Sequence, residues 1–428
     1  MMREQSAALA AKLRWRLAFP TILFMLLSSL DRVNISFAAL QMNHELGFTP
    51  SQYGFGAGVL FAGFLLAQYP SVMLLQRLGM HRWIAGCALL WGGAACATAF
   101  VHTALQFYVL RVVLGAAEGG LAPGIVLYLS QFATERARAS TFALPMLAIP
   151  LSIVLGSPLS GWLMGLTLAG PLAAWRWMLI AEALPTVLLG LVAWFYFPDR
   201  PAQASWLTAQ ERGWLERNAA LRGRESQRND WRVLKHPLVW ASAVLWFCLL
   251  SGSYGIMFWL PQMIKRLAGL SPVQIGLVNA LPWFGAMLGM YFNAAHSDRS
   301  GERFWHISVP AALAAVALLL AWLAGAGPMG LAALFVAGLG LGGAQGAFWA
   351  LPTTLLKGSA LAVGAVAINI VGTAGGLVMP HLVGFALEKT GQFSGPTLLI
   401  AAVLLLGACL VVTIRLALTR RVPMAPVA

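Results

Sequence analysis

The chain has 428 residues, 59% of them hydrophobic and only 10% charged, with a formal net charge of +14; soluble proteins carry about 25% charged residues. Apolar runs of about 20 residues recur along it, the length an α-helix needs to cross about 30 Å of hydrocarbon, which excludes a soluble multidomain fold and indicates an integral membrane protein. The basic residues cluster beside those runs, so the positive charge is an orientation signal and a nucleic-acid partner is excluded.

The basic segment 1–16 leads into the first apolar span with no small-residue cleavage site, so no signal peptide is expected. Twelve spans are expected, near residues 17–40, 52–75, 83–101, 106–130, 140–165, 176–197, 238–264, 273–294, 304–324, 329–354, 362–387 and 396–418. With the N-terminus inside, Arg176, Lys265, Arg266 and Lys389 fall outside, Arg32 and Arg111 lie deep within spans, and the other 22 of the 28 Lys and Arg fall on the cytoplasmic side, Arg415 at the cytoplasmic end of the last span. That asymmetry follows the positive-inside rule and places both termini, 1–16 and 419–428, in the cytoplasm.

Span 1 carries Asp31 and Arg32, and span 4 carries Arg111 and Glu118. A charge at the bilayer centre costs about 2.5 to 3.5 kcal/mol even on the lenient insertion scale, so such residues mark a substrate or ion pathway. Asp31 and Arg32 are about 100° apart around their helix and need not pair with each other. Arg111 and Glu118 are two turns apart on one face, about 10.5 Å along the axis, with Gly115 between them. An inter-helix ion pair that fixes packing is the structural alternative. The chemistry divides the four by sign. Arginine stays protonated and grips a carboxylate bidentately, whereas a carboxylate in apolar surroundings is more easily protonated and a nearby arginine opposes that. Arg32 and Arg111 are therefore expected to hold an anionic substrate, and Asp31 and Glu118 to take up and release protons.

The turn after span 2, Gln76-Arg77-Leu78-Gly79, is repeated after span 8 as Asp298-Arg299-Ser300-Gly301. Glycine permits the turn, and the arginines are expected to bond the last carbonyls of the helices they follow. The repeat points to two duplicated six-helix halves with the site at their interface. The halves are 17–197 and 238–418, joined by a polar stretch, 198–237, read as a solvated cytoplasmic linker in which Thr208 and Glu211 form a capping box.

Other polar residues in spans have bland readings beside functional ones. Glu182 in span 6 reads as a structural anchor, and His381 in span 11 as a hydrogen-bonded interior histidine or a titrating group. Asn369 and Thr373, four apart in span 11, suit either an oxygen-rich ligand or helix-to-helix bonding. Trp349, Trp259 and Phe258 can wall an apolar pocket or simply pack. The four cysteines show no CxxC pairing, so disulfides and metal sites are not expected. Gly338, Gly340 and Gly343 fit GxGxxG, but within an apolar span and without a preceding strand. Walker, HExxH and GxSxG motifs are absent from the sequence, so no cofactor, ATP drive or hydrolytic enzyme is indicated.

These residues resemble the major facilitator superfamily, and within it the anion:cation symporter family of sugar-acid, phthalate and hydroxyphenylacetate permeases. The resemblance covers nearly the whole chain. It rests on Leu30-Asp31-Arg32-Val33-Asn34-Ile35, on Phe107 to Arg111 with Gly115, Glu118 and Pro123-Gly124, on Gly156-Ser157-Pro158-Leu159-Ser160-Gly161, on Phe258-Trp259-Leu260-Pro261-Gln262, and on Phe348-Trp349-Ala350-Leu351-Pro352. It implies an all-α membrane protein of twelve transmembrane helices in two pseudo-symmetric six-helix bundles. It also implies a monomeric inner-membrane importer working by alternating access, with Asp31 and Glu118 proton-coupled, Arg32 and Arg111 on the substrate carboxylate, and Asn369 and Trp349 in the pocket. Arg77, Gly79, Asp298, Arg299 and Gly301 then belong to the gating turns. Ser29 and Phe64 stand where sugar-acid members carry tyrosines, which favours a less hydroxylated or aromatic carboxylate; Met379-Pro380-His381 replaces Gly-Pro-Tyr, and Gln76 an aspartate.

The expected function is proton-coupled import of a small organic anion. An exchanger or exporter of the same fold is the alternative, since Gly156-x-Pro158 distantly resembles an antiporter motif. A transport-like membrane sensor has only the cytoplasmic stretch in its favour.

Overall fold

The computed structural model describes residues 9, 11–132, 135–166, 172–223, 231–325, 327–356 and 358–421. Among these the chain is helical, without strands. A π-helical turn, Arg14–Ala18, leads into α1 (Phe19–Glu45). Then come α2 (Pro50–Leu78), α3 (Met80–Thr98), α4 (Ala104–Gly119), α5 (Leu121–Phe132), α6 (Glu135–Gly165), α7 (Ala174–Tyr196) and α8 (Ala209–Gly223). The rest is α9 (Pro237–Ala268), α10 (Pro272–Ser300), α11 (Trp305–Ala324), α12 (Pro328–Phe348), α13 (Ala350–Leu355), α14 (Gly358–Thr390) and α15 (Ser394–Arg421).

Local sequence sets these ends. Thr103 and Gln106 form a capping box at the start of α4, and Ser271 and Gln274 form another at α10; each satisfies two backbone donors that a helix start leaves orphaned. Pro237, Pro272 and Pro328 open their helices, where a missing N–H costs nothing. Gly269 and Gly301 close α9 and α10 at φ of 58° and 68°, a region that favours glycine.

Eleven helical stretches among the described residues are long and apolar enough to cross a membrane. The expected third span is present as α3 but falls outside that set. The reason is composition: the helix holds His81 and Arg82 in its first turn, followed by Trp83, Gly86, Trp91, Gly92 and Gly93, which lower its mean hydropathy below that of its neighbours. It takes the twelfth place in the fold.

Spans 4 and 10 are each broken in the same way. Between α4 and α5 the break falls at Gly120, with Pro123 three residues on; between α12 and α13 it falls at Trp349, with Pro352 three residues on. In both, proline has no N–H to give the carbonyl four residues back, that of Gly119 or Phe348, and its ring crowds it.

By backbone contacts the described chain falls into two compact units. The first comprises 1–38, 59–156 and 166–227. Its core is Phe24, Trp83, Trp91, Tyr128, Phe132 and Phe197, joined by Leu9, Leu13 and Leu17. Part of the 198–237 stretch docks into this core through Ala204, Leu207 and Leu215, and Tyr128 donates a hydrogen bond to the Pro198 carbonyl. The expected capping box is there: Thr208 Oγ1 accepts from the Glu211 N–H and Glu211 Oε2 accepts from the Thr208 N–H.

The second unit comprises 39–58, 157–165 and 228–428. Here α10, α11 and α12 pack on one another, and α9 packs on α14 and α15. The GxGxxG glycines serve helix approach: an added Cβ on Gly338 would lie 1.7 Å from the Pro282 carbonyl oxygen, and one on Gly340 2.5 Å from that of Pro310. Small residues at such crossings let backbones touch. The ends of α2 and α6 are tied in by polar contacts, Tyr53 hydroxyl to the Phe258 carbonyl at 2.8 Å and Asn279 amide to Ser157 Oγ at 2.8 Å.

Candidate functional site

The four expected intramembrane charges lie in the first unit, on α1 and α4. Asp31 is 1% exposed, Arg111 1% and Glu118 0%; the Arg32 side chain retains 14% exposure. Of the two arginines, Arg32 is therefore the one a solute can reach. Its guanidinium grips Glu118 Oε2 from Nε at 2.9 Å and from Nη2 at 2.8 Å, and Nη2 also donates to Ser28 Oγ at 3.2 Å. The Phe64 ring lies 5.2 Å away, within cation–π range.

Asp31 faces elsewhere. Its Oδ2 accepts from the Trp91 indole N–H at 2.6 Å and its Oδ1 from the Asn34 amide at 3.1 Å. Neighbours in sequence, Asp31 and Arg32 thus hold different partners, as their angular separation requires. Asp31 is in electrostatic range of Glu118, Glu182 and Arg111, and Glu118 is in range of both arginines.

Close helix approach brings these groups together. A Cβ on Gly115 would stand 1.9 Å from the Leu60 carbonyl oxygen, one on Gly63 2.1 Å from that of Val112, and one on Gly119 2.3 Å from that of Phe64. α2 and α4 therefore cross backbone to backbone, which sets Phe64 beside Arg32. The break at Gly120 follows Glu118 by two residues and interrupts regular helical bonding next to a buried carboxylate. Glu118 Oε1 is buried with no hydrogen-bond partner among the described residues, so the site keeps acceptor capacity.

In the second unit Trp349 occupies the break of span 10, in edge contact with Trp246 at 5.5 Å and Phe348 at 5.3 Å. Trp246 and Phe348 stack at 4.4 Å. Asn369 is partly exposed and Thr373 is buried, on α14. His381 packs edge-on against Phe55 at 5.7 Å, and its Nδ1 is buried without a hydrogen-bond partner among the described residues. Trp259 donates to the Pro380 carbonyl at 3.1 Å and Phe258 is fully buried. These two are packing residues.

The turns differ in detail from expectation. Arg77 and Arg299 are exposed, and the ion pair at the second turn is Arg303 with Asp298 at 2.6 Å. Gly79, at φ 82°, has the Asp199 carboxylate where a Cβ would be, and Asp199 in turn holds the His81 ring nitrogen at 2.8 Å. An acid does stand at this turn, supplied from the far end of α7 rather than by position 76. Trp91, Ser28 and Asp199 escaped sequence reasoning. Nothing local separates Trp91 from the other tryptophans, and Asp199 looks like any residue of a polar stretch.

Buried opposite charges beside a break in an apolar helical bundle are features of a membrane transporter's substrate or ion pathway. The chain belongs to the Major Facilitator Superfamily, which matches residues 21–380. It is 41% identical over 410 residues to a protein of Agrobacterium vitis named as a tartrate transporter, covering 95% of this chain and 91% of the relative. It is 36% identical over 420 residues to a protein of Pseudomonas putida named as the metabolite transport protein NicT, covering 97% and 96%. The fold is similar to that of a bacterial homolog to the human lysosomal transporter Spinster, crystallised in an inward-facing and unoccupied conformation. That similarity has a TM-score of 0.75 at 17% identity over 95% of each chain.

Proposed function

We propose that this transporter is an anion:cation symporter, importing a small organic carboxylate with protons across the plasma membrane as a monomer with both termini cytoplasmic. In this reading 17–197 and 238–418 are the bundles that alternate access, linked by 198–237. The observation that carries it is the Arg32–Glu118 pair, a partly reachable guanidinium held by a fully buried carboxylate. A substrate carboxylate competes for the same fork, because bidentate carboxylate recognition is what the guanidinium does best. Once Arg32 turns to the substrate, Glu118 is a buried charge without its cation. Breaking a buried pair in that way costs about 3–5 kcal/mol, which protonation removes. Anion and proton therefore enter together. Asp31 is a second protonation site, and Arg111, Asn369 and Trp349 complete the substrate's surroundings. Arg77, Gly79, Asp298, Arg299 and Gly301 act at the turns that close the cytoplasmic side. Relatives named for tartrate and metabolite transport support a small organic anion.

The test uses purified protein in proteoliposomes, with tartrate, benzoate and gluconate first screened by thermal shift. A hit should accumulate under an inward proton gradient, and Glu118→Gln should retain counterflow exchange but lose that accumulation. Accumulation by the wild type that ignores the gradient, or by Glu118→Gln at the wild-type level, overturns the reading.

A further inference from the structure

The Arg32–Glu118 pair has a third member to which the transport reading gives no task. Ser28 lies one helical turn before Arg32 on the same face of α1 and is 2% exposed. Its Oγ accepts from Arg32 Nη2 at 3.2 Å and stands within hydrogen-bonding reach of the Glu118 carboxyl. A serine hydroxyl has one proton to give and two lone pairs to offer. Inside a helix that proton is commonly turned back to a carbonyl three or four residues earlier, and in this unit Thr21, Ser36, Thr98 and Ser152 all do so. Ser28 makes no such bond among the described residues. One of its lone pairs is taken by Arg32, and its proton is left for the carboxylate that Arg32 already holds.

We infer that Ser28 is a positioning residue that holds Arg32 on Glu118 in the substrate-free protein and so sets how readily a substrate carboxylate takes the arginine over. The inference rests on the symport reading above. A substrate carboxylate has to displace Glu118 from the guanidinium fork, and whatever stabilises the arrangement it displaces counts against binding. Ser28 stands on the side of Glu118 in that competition, because it orients the fork and gives the carboxylate one more donor. After the substrate leaves, the same hydroxyl helps return Arg32 to Glu118. The carboxyl O–H bond then breaks, its proton passes to solution and the electron pair stays on the carboxylate, which resets the empty carrier. Ser28 thus lowers affinity and speeds turnover.

The test separates half-saturation from maximal rate, with radiolabelled tartrate in proteoliposomes. Loss of one hydrogen bond from the empty state in Ser28→Ala should lower the half-saturation concentration by about three- to tenfold. Net proton-driven uptake should fall, and counterflow exchange, in which the carrier never empties, should fall less. Ser28→Thr keeps the hydroxyl and should restore both. A half-saturation concentration unchanged or raised in Ser28→Ala, or equal losses of net uptake and exchange, overturns this inference and leaves symport standing. Wild-type accumulation that ignores the proton gradient overturns symport and this inference with it. Melting temperatures of the substrate-free protein test the contact without a transported probe. Ser28→Ala/Glu118→Gln should lose less than the sum of the single losses, because the hydroxyl has no charge left to serve, and strict additivity overturns the inference. Ser28→Cys, close in size but a weak donor and acceptor, should follow Ser28→Ala in uptake; wild-type behaviour of that variant removes the role given to the hydroxyl.

Discussion

Asp31 shows what a single hydrogen bond does in this setting. Its carboxylate is 1% exposed and held by an indole N–H at 2.6 Å. Replacing Trp91 with phenylalanine keeps most of the ring's packing and removes only that donor. Hydrogen bonds to charged groups are worth about 1.5–3 kcal/mol. Trp91→Phe should therefore lower the melting temperature of the detergent-solubilised protein by several degrees, while Asp31→Asn/Trp91→Phe, with no charge left to satisfy, should recover part of the loss. An unchanged melting temperature in Trp91→Phe would mean that the indole does not hold Asp31. The same scale separates the two arginines. Arg32 keeps an exposed edge and Arg111 does not, a difference invisible in two residues of the same type.

Among the helices, α1 and α4 carry the charges, and α2 sets Phe64 beside them because glycine lets α2 and α4 cross without side chains between. Gly115→Ala would put a methyl 1.9 Å from the Leu60 carbonyl oxygen, a backbone atom that cannot swing aside. Overpacking of this kind costs about 1–3 kcal/mol, and a shift of α4 away from α2 carries Glu118 with it. Gly115→Ala should thus lose both thermal stability and transport. Gly93→Ala on α3 is the control: an added Cβ there meets nothing within 4 Å, and stability should hold or rise slightly, since alanine favours helix by about 1 kcal/mol. Equal behaviour of the two variants, read by melting temperature and uptake, would refute the crossing. The paired breaks at Gly120 and Trp349 are also a property of elements. Each places an expected functional residue, Glu118 in the first unit or Trp349 in the second, where helical regularity fails, and proline three residues beyond makes the failure obligatory.

At the scale of the whole molecule, the stretch between the sequence halves is partly built into the first unit. Leu207 and Leu215 sit in its core, and Lys12 reaches Glu211 at 2.9 Å. Partial burial pushes the Glu211 carboxyl up, but hydrogen bonds from Lys12 and Thr208 and the Lys12 charge outweigh it and hold the pKa below the ordinary value. A carboxylate whose folded pKa is depressed stabilises the docked form above its unfolded pKa of about 4.3, and the benefit fades as pH falls through the folded value. For so exposed a pair it is at most about 1 kcal/mol. Amide exchange across 207–216 should therefore be slow at pH 7 and faster in Glu211→Gln, and the difference should shrink as pH falls and the carboxyl protonates. Equal protection in variant and wild type at pH 7 would remove the role given to this contact.

Composition determined the membrane class, because 59% hydrophobic content in runs of about 20 residues has no other solvent. The price of intramembrane charge singled out Asp31, Arg32, Arg111 and Glu118, and capping chemistry located Thr208 and Glu211, since each depends on a residue and its immediate neighbours. Tertiary structure alone decided the pairings. That Arg32 takes Glu118 while Asp31 takes Trp91, that Asp199 serves the Gly79 turn, and that 39–58 and 157–165 pack with the second unit are all contacts between residues far apart in the chain. Such partners are chosen by how glycine-lined helices cross and rotate, and no local pattern encodes which of many chemically adequate side chains the crossing will present.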